Sequence, residues 1–380
     1  MKLNVLGATA LLSLCLGAAS HAAEADGVSA NVIRLGMVNA QSGPAAALGQ
    51  SMLAGAQAVF ADLNARGGVH GRRIELRVAD DSYEPEQTVE HTLRLVQQDK
   101  VLALFGYVGT PTTNAVVPLL TELQVPLVAV LSGAASLRRP QLPLLFNVRA
   151  SYDEEAQRLV AHLLDKGLNK VAVVYQNDGF GVAVLTSVNK ALKGGAAKLH
   201  ASATFQRNTV AIKMALATMV EAEPDAIVVV GPYTPVAAFI NQARAKGLNS
   251  VFATVSFVGT ESLLERLSDG GQGVLVSQVM PHPAAEDMAV VQHCRELLQA
   301  HGGHKLSYVS LEGCISAKLM VEALQRAGSS PTRSSLLASL NGMSSLDLGG
   351  VVLQLSASDH QASDVTYLTR LIGGRIEDVR

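Results

Sequence analysis

The sequence predicts an α/β protein made of two doubly wound parallel-sheet lobes, and three observations predict it. Strand-like and helix-like segments alternate along nearly the whole chain. The strand-like runs are continuous and aliphatic, in a chain that is 48% hydrophobic, only 4% aromatic and free of tryptophan. That composition suits strands buried on both faces. The 380-residue length is enough for about two domains, yet no Gly/Ser-rich or low-complexity segment divides the halves. Strands rather than a flexible tether therefore join the lobes, which suggests a hinge.

The first lobe opens with a short strand, Ile33–Val38, that runs into the turn Gln41-Ser42-Gly43-Pro44. Leu48, Met52, Ala56, Val59, Phe60 and Leu63 then recur at helical spacing until Gly67-Gly68 stops the helix. Ile74, Leu76 and Val78 form a second strand ending in Asp80-Asp81. Pro85 starts the next helix, with Val89, Leu93 and Val96 on one face. Val101–Phe105 reads as a buried strand, Gly106–Thr113 as a polar loop, Val116–Leu123 as a helix and Val125–Val130 as another buried strand. This βαβαβ order implies parallel pairing with right-handed crossovers.

A second set follows Phe146-Asn147-Val148. A helix over Asp153–Lys166 leads to strand Val171–Tyr175, loop Gln176–Gly181 and helix Val182–Leu192. Strand Leu199–Phe205, helix Val210–Glu221, strand Ala226–Val230, a helix from Pro235 to Lys246 and strand Val251–Val255 complete this unit. Strand Val274–Val279 carries the chain back. The helices Asp287–His301 and Val309–Ala327 then cover the first sheet, and Val351–Leu355 and Val365–Ile372 read as late strands.

Met1–Ala23 reads as an export signal: Lys2, an apolar run without an acid, then small residues before Glu24. The run is too short to span a bilayer, which needs roughly 20 apolar residues, and Asn4, Gly7, Ser13 and Gly17 interrupt it. A mature protein without stable membrane insertion, located in the periplasm, is the expectation. Once the leader is gone, Cys294 and Cys314 remain. An even count in an oxidising compartment permits one disulfide, and two separate buried thiols is the other reading. A formal net charge of −2, with no basic run, excludes a nucleic-acid partner. Dinucleotide, P-loop, nucleophile-elbow and zinc-helix motifs are absent, so no enzyme, cofactor or metal is expected.

Ligands of open α/β sheets sit beyond the carboxyl ends of the strands, where helix N-termini favour an anion. Two loops fit. Gly106–Thr113 follows one strand, and Ser132-Gly133-Ala134-Ala135-Ser136 follows another; both are small, hydroxyl-bearing and glycine-containing. Ordinary Ser/Thr helix capping accounts for the same residues, so the pattern alone leaves both readings open.

In order and spacing the segments IRLGMVNAQSGPAAALGQ, ARGGVHGRRIEL, GYVGTPTT, VPLVAVLSGAASL, FNVRASYDEEA, VVYQNDGFG and GVLVSQVMPHP resemble the type I periplasmic binding proteins. More narrowly, the chain resembles the branched-chain amino-acid (leucine-binding-like) receptors of ABC transporters. The resemblance implies an interlobe cleft that closes on a small-molecule ligand, and a membrane permease as partner. It implies three hinge crossings, near Phe146–Ala150, Val276–Pro281 and Gly349–Gln354. Lobe 1 is then 31–147 plus 278–352, and lobe 2 is 148–277 plus 353–380. By the same resemblance Thr110 and Ser136 hold a ligand carboxylate, and Ala134 supplies a backbone contact. Leu48 stands where relatives carry an aromatic, and Phe180, Tyr233 and Tyr308 match ligand-facing aromatics. Core packing is the alternative for each apolar one.

One departure bears on the ligand. Amino-acid receptors place an acid where this chain has Ser256, and a buried ammonium without a carboxylate is costly. Asp178 is the alternative acid. Otherwise the ligand is an acid lacking an amine, or an amide. A sensor reporting ligand occupancy to a separate membrane protein is the competing function.

Overall fold

The structure is a computed structural model that describes residues 26–138, 142–195 and 197–379. The expected export signal lies outside them. Five parallel strands form the first sheet: β1 (Val32–Asn39), β2 (Arg73–Asp80), β3 (Ala103–Phe105), β4 (Leu127–Val128) and β5 (Leu145–Phe146). Their order is β2-β1-β3-β4-β5. Helices α1 (Ala46–Ala65), α2 (Pro85–Gln97) and α3 (Thr110–Glu122) connect them. Leu35 pairs with Leu76 on one side and Ala103 on the other, and both Ile33 and Leu35 are fully buried.

The second sheet takes the next elements: α4 (Tyr152–Asp165), β6 (Val171–Gln176), α5 (Gly179–Gly194), β7 (Ala201–Phe205), α6 (Lys213–Ala222), β8 (Ala226–Val230), α7 (Tyr233–Ala245), β9 (Val251–Thr254), α8 (Thr260–Leu264) and β10 (Leu275–Gln278). Two antiparallel strands from the chain end, β13 (Tyr367–Ile372) and β14 (Arg375–Asp378), extend it to the order β14-β13-β10-β9-β8-β6-β7. The second sheet is thus mixed. β14 gave no apolar signal because it is a charged edge strand, RIED, which discourages pairing with other chains.

Between β10 and β13 the chain returns to the first sheet as α9 (Ala289–Gly302), α10 (Tyr308–Arg326) and α11 (Arg333–Asn341). α10 lies along α1 so closely that a Cβ on Gly55 would meet Ser310 O at 2.0 Å, and one on Gly313 would meet Met52 O at 2.3 Å. Cys294 and Cys314 are bonded, tying α9 to α10 with Cα atoms 6.1 Å apart.

The chain passes between the sheets three times. The third passage comes later than Gly349–Gln354, because Val352–Leu353 (β12) is drawn into a small antiparallel pair with Leu346–Asp347 (β11). It runs beside the first passage instead: Asn147 N–H donates to His360 O, and Ala362 N–H to Asn147 O, both at 2.8 Å.

Candidate functional site

Three helices begin earlier than their polar-looking starts suggested, at Thr110, Gly179 and Tyr233. Small and polar residues at a helix start are indistinguishable from loop in a sequence, and here they place first-turn amides directly at the strand ends. α3 has no side-chain cap at Gly109. α5 is capped by Asp178, whose carboxylate accepts from Phe180 N–H and Gly181 N–H at 2.9 and 3.2 Å. The two helix starts oppose one another: a Cβ on Gly179 would lie 3.8 Å from Thr110 Cγ2.

Thr110 is buried, with its hydroxyl 2.8 Å from that of Ser132. Ala134 is fully buried and its N–H donates to Ser132 Oγ at 3.3 Å. Ser136 does not join them. It is exposed, and its hydroxyl donates to Asn114 Oδ1 at 3.1 Å. The short 3-10 turn Ala135–Leu137 rotates it out of the interface, so Ser132 supplies the second buried hydroxyl.

Phe180 is fully buried within a row of rings. Its centroid is 4.5 Å from Phe257 and 5.5 Å from Tyr152, and Phe257 is 6.0 Å from Tyr83. Tyr83 comes from the segment after β2; the other three come from elements of the second sheet. The phenol oxygens of Tyr83 and Tyr152 are buried and make no hydrogen bond of good geometry among the described residues. Burial pushes the Tyr152 phenol up to about 12 and raises that of Tyr83 well above the ordinary tyrosine value, so both stay neutral.

The two halves are closed on each other. Tyr233 Oη accepts from Ala47 N–H at 3.0 Å, and Thr234 Oγ1 donates to Pro44 O at 3.3 Å. Leu48 packs where a Cβ on Gly259 would meet its Cδ2 at 2.7 Å. Across the rim, Glu84 accepts from Arg207 Nη2 and Asn208 Nδ2, both at 2.6 Å, and Ser82 O accepts from Asn208 Nδ2 at 3.2 Å.

Ser256 sits in a buried charged network. Arg149 Nε and Nη2 donate to Glu312 at 2.9 and 3.1 Å, and Nη2 also donates to Ser256 Oγ at 2.9 Å. Ser256 N–H and Oγ donate to Glu155, which takes a third bond from Ser277 Oγ at 2.7 Å. Burial raises the pKa of both carboxyls, and Arg149 pulls each back down. Asp178 is likewise raised by burial and held back by its amide and Gln176 bonds. Tyr308 stands apart from this group. It heads α10 beside His282, with its ring centroid 5.8 Å away, and Glu261 accepts from its N–H. Among the described residues no group of three or more His, Cys, Asp or Glu could hold a metal ion.

Sequence reasoning did not single out Tyr83, Tyr152, Phe257, Arg149, Glu155, Glu312 or Arg207. The available signals were the residues just past a strand end, Asp81-Ser82-Tyr83, and the run Arg149–Glu155 that follows β5.

A model of the periplasmic binding protein family matches residues 32–375. The chain belongs to this family. Within it, the chain is a solute receptor of the type I, leucine-binding-like group rather than an enzyme. It is 25% identical over 282 residues to the Leu/Ile/Val-binding protein of Escherichia coli K12, covering 73% of this chain and 74% of that one. It is 27% identical over 318 residues to an amino acid binding protein of Pseudomonas aeruginosa, covering 80% and 81%. Among solved structures, this receptor is similar to a "possible leucine/isoleucine/valine-binding protein" from Rhodopirellula baltica. The TM-score there is 0.88 at 31% identity, with 94% of this chain and 98% of that one covered. A substrate-binding periplasmic protein from Ralstonia solanacearum gives 0.86 at 30% identity, covering 91% and 100%. Among the described residues no helix of the receptor is long and apolar enough to cross a membrane.

Proposed function

We propose that this receptor is exported to the periplasm, captures a small carboxylate or amide between its lobes, and delivers it to an ABC permease. The observation that carries the ligand class is the uncapped start of α3, bearing the buried Thr110–Ser132 hydroxyl pair and facing the start of α5. First-turn amides and hydroxyls hold an anion without a counter-cation. Thr110, Ala134, Phe180, Ser256, Leu48 and Tyr233 are the proposed site; the placements of Ser136 and Tyr308 argue against including them. Lobe 1, 31–147 with 278–359, and lobe 2, 148–277 with 363–379, would close about the three passages, the third of which runs at 360–362 beside Asn147.

Among the described residues, the acids Asp178, Glu312 and Glu155 are already engaged by other groups, so a ligand amine would have to compete for them. Asp178 caps α5, Glu312 binds Arg149, and Glu155 is bonded to Ser256 and Ser277. A free branched-chain amino acid is therefore expected to bind less tightly than the comparable acid lacking the amine. Calorimetry with leucine, 4-methylpentanoate, benzoate and benzamide tests this. Thr110→Ala should weaken binding of the best acid by about 10- to 100-fold, or roughly 1.5–3 kcal/mol. Tight leucine binding would refute the amine argument, and unchanged affinity in Thr110→Ala would refute the site. Mass spectrometry of periplasmic protein should find a chain beginning near Ala23 or Glu24; intact Met1 on protein confined to the cytoplasm would refute export.

A further inference from the structure

The two glycine loops that resemble a carboxylate cradle are each covered by a tyrosine ring. A Cβ on Gly109 would meet Tyr83 Cε2 at 2.3 Å, and one on Gly133 would meet Tyr152 Cδ1 at 2.4 Å. Tyr152 is also anchored there through its N–H, which donates to Gly133 O at 2.7 Å. Thr110 and Ser132, beneath these rings, are bonded to each other. The two phenol rings therefore stand directly beside the loops that carry Thr110 and Ser132. Neither phenol oxygen makes a hydrogen bond of good geometry among the described residues, although Gln176 stands beside Tyr83 and Thr110 beside Tyr152. The donor nitrogens Arg149 Nη1 and Arg207 Nε are likewise buried without one. A buried hydroxyl without a partner is costly, and a ligand that accepts from it recovers that cost. Between the two phenols lie Phe180 and Phe257, whose apolar faces favour a flat ligand packed against them.

Resting on the receptor reading above, we infer that Tyr83 and Tyr152 are specificity-determining residues whose hydroxyls donate to the carboxylate of a compact planar acid. Their rings shorten the cleft and exclude longer side chains. One tyrosine belongs to each side of the interface, so the acid is bonded from both lobes and holds them closed.

The test is calorimetry on wild type, Tyr83→Phe and Tyr152→Phe with benzoate, 4-methyl-2-oxopentanoate, 3-phenylpropanoate and leucine, with melting curves of the ligand-free proteins alongside. Wild type should prefer benzoate, the compact planar acid of the set. Each Phe variant should bind it at least ten-fold more weakly while melting no lower than wild type, since only an unpaired hydroxyl is removed. A purely structural hydroxyl would do the opposite, lowering the melting temperature and sparing affinity, and that result overturns the assignment. Wild-type affinity in both variants overturns it too, and leaves the acid reading standing. A preference for 3-phenylpropanoate refutes the size limit. Leucine bound more tightly than every acid overturns the acid reading itself, and this inference with it.

Discussion

Arg149 is the residue on which the interior is most exposed to change. It is fully buried, and burial works against its charge, yet Glu312 and Glu155 hold its pKa above the ordinary arginine value. Replacing it with an apolar side chain of similar length strands two buried carboxylates. Arg149→Met should therefore lower unfolding free energy by about 3–5 kcal/mol, readable in urea titrations. Asp81 provides a pH signature. Burial pushes its carboxyl up to about 6, against the pull of Tyr83 N–H and the Thr88 hydroxyl. A carboxyl raised in the folded state binds its proton more tightly folded than unfolded. Its contribution is thus greatest below the unfolded value near 3.8 and is lost as pH rises through about 6. Relative to wild type, Asp81→Asn should flatten the change of stability between pH 4 and 7, by on the order of 2–3 kcal/mol. Identical pH profiles for the two proteins would show that Asp81 does not titrate there.

At the scale of elements, α9 and α10 are joined through Cys294 and Cys314, 20 residues apart. Closing a loop of that length removes conformational freedom from the unfolded chain worth about 3 kcal/mol. Reduction with dithiothreitol should lower the urea midpoint accordingly, and the unreduced, unfolded chain should yield no free thiol from either residue. Two reactive thiols at these positions would refute the bond. α10 has a second constraint in its contact with α1, where Gly55 and Gly313 let the backbones touch. Gly313→Ala places a methyl 2.3 Å from Met52 O, so the helices must separate or the protein must lose stability.

For the whole molecule the decisive feature is closure. The rim is held by Arg207 and Asn208 on one side and by Glu84 and Ser82 O on the other. These groups are partly exposed, so the clasp should be worth only about 1 kcal/mol and should weaken with salt. Glu84→Gln is then expected to shift the open–closed balance and reduce ligand affinity roughly five-fold at low salt, with a smaller difference in high salt. Small-angle scattering should show a larger radius of gyration for this variant than for wild type without ligand. Equal radii and equal affinities would show that the clasp does not govern closure.

The sequence by itself determined the α/β alternation, the split into two sheets and the strand ends at which the proposed site residues lie. Those features are local. Helical and strand periodicity, glycine stops and continuous aliphatic runs act over a few residues, and Thr110, Ala134 and Phe180 lie directly after such runs. Only the tertiary structure decided what surrounds these positions. Arg149 and Glu312 are 163 residues apart, and Arg207 and Glu84 are 123 apart; no periodicity links them. It also decided between Ser132 and Ser136, because a single 3-10 turn sets which hydroxyl faces inward. It likewise brought the Tyr83 and Tyr152 rings onto Gly109 and Gly133. Contacts of that kind depend on how two sheets fold back on one another across three passages, and that arrangement is settled by packing of the whole chain rather than by any segment of it.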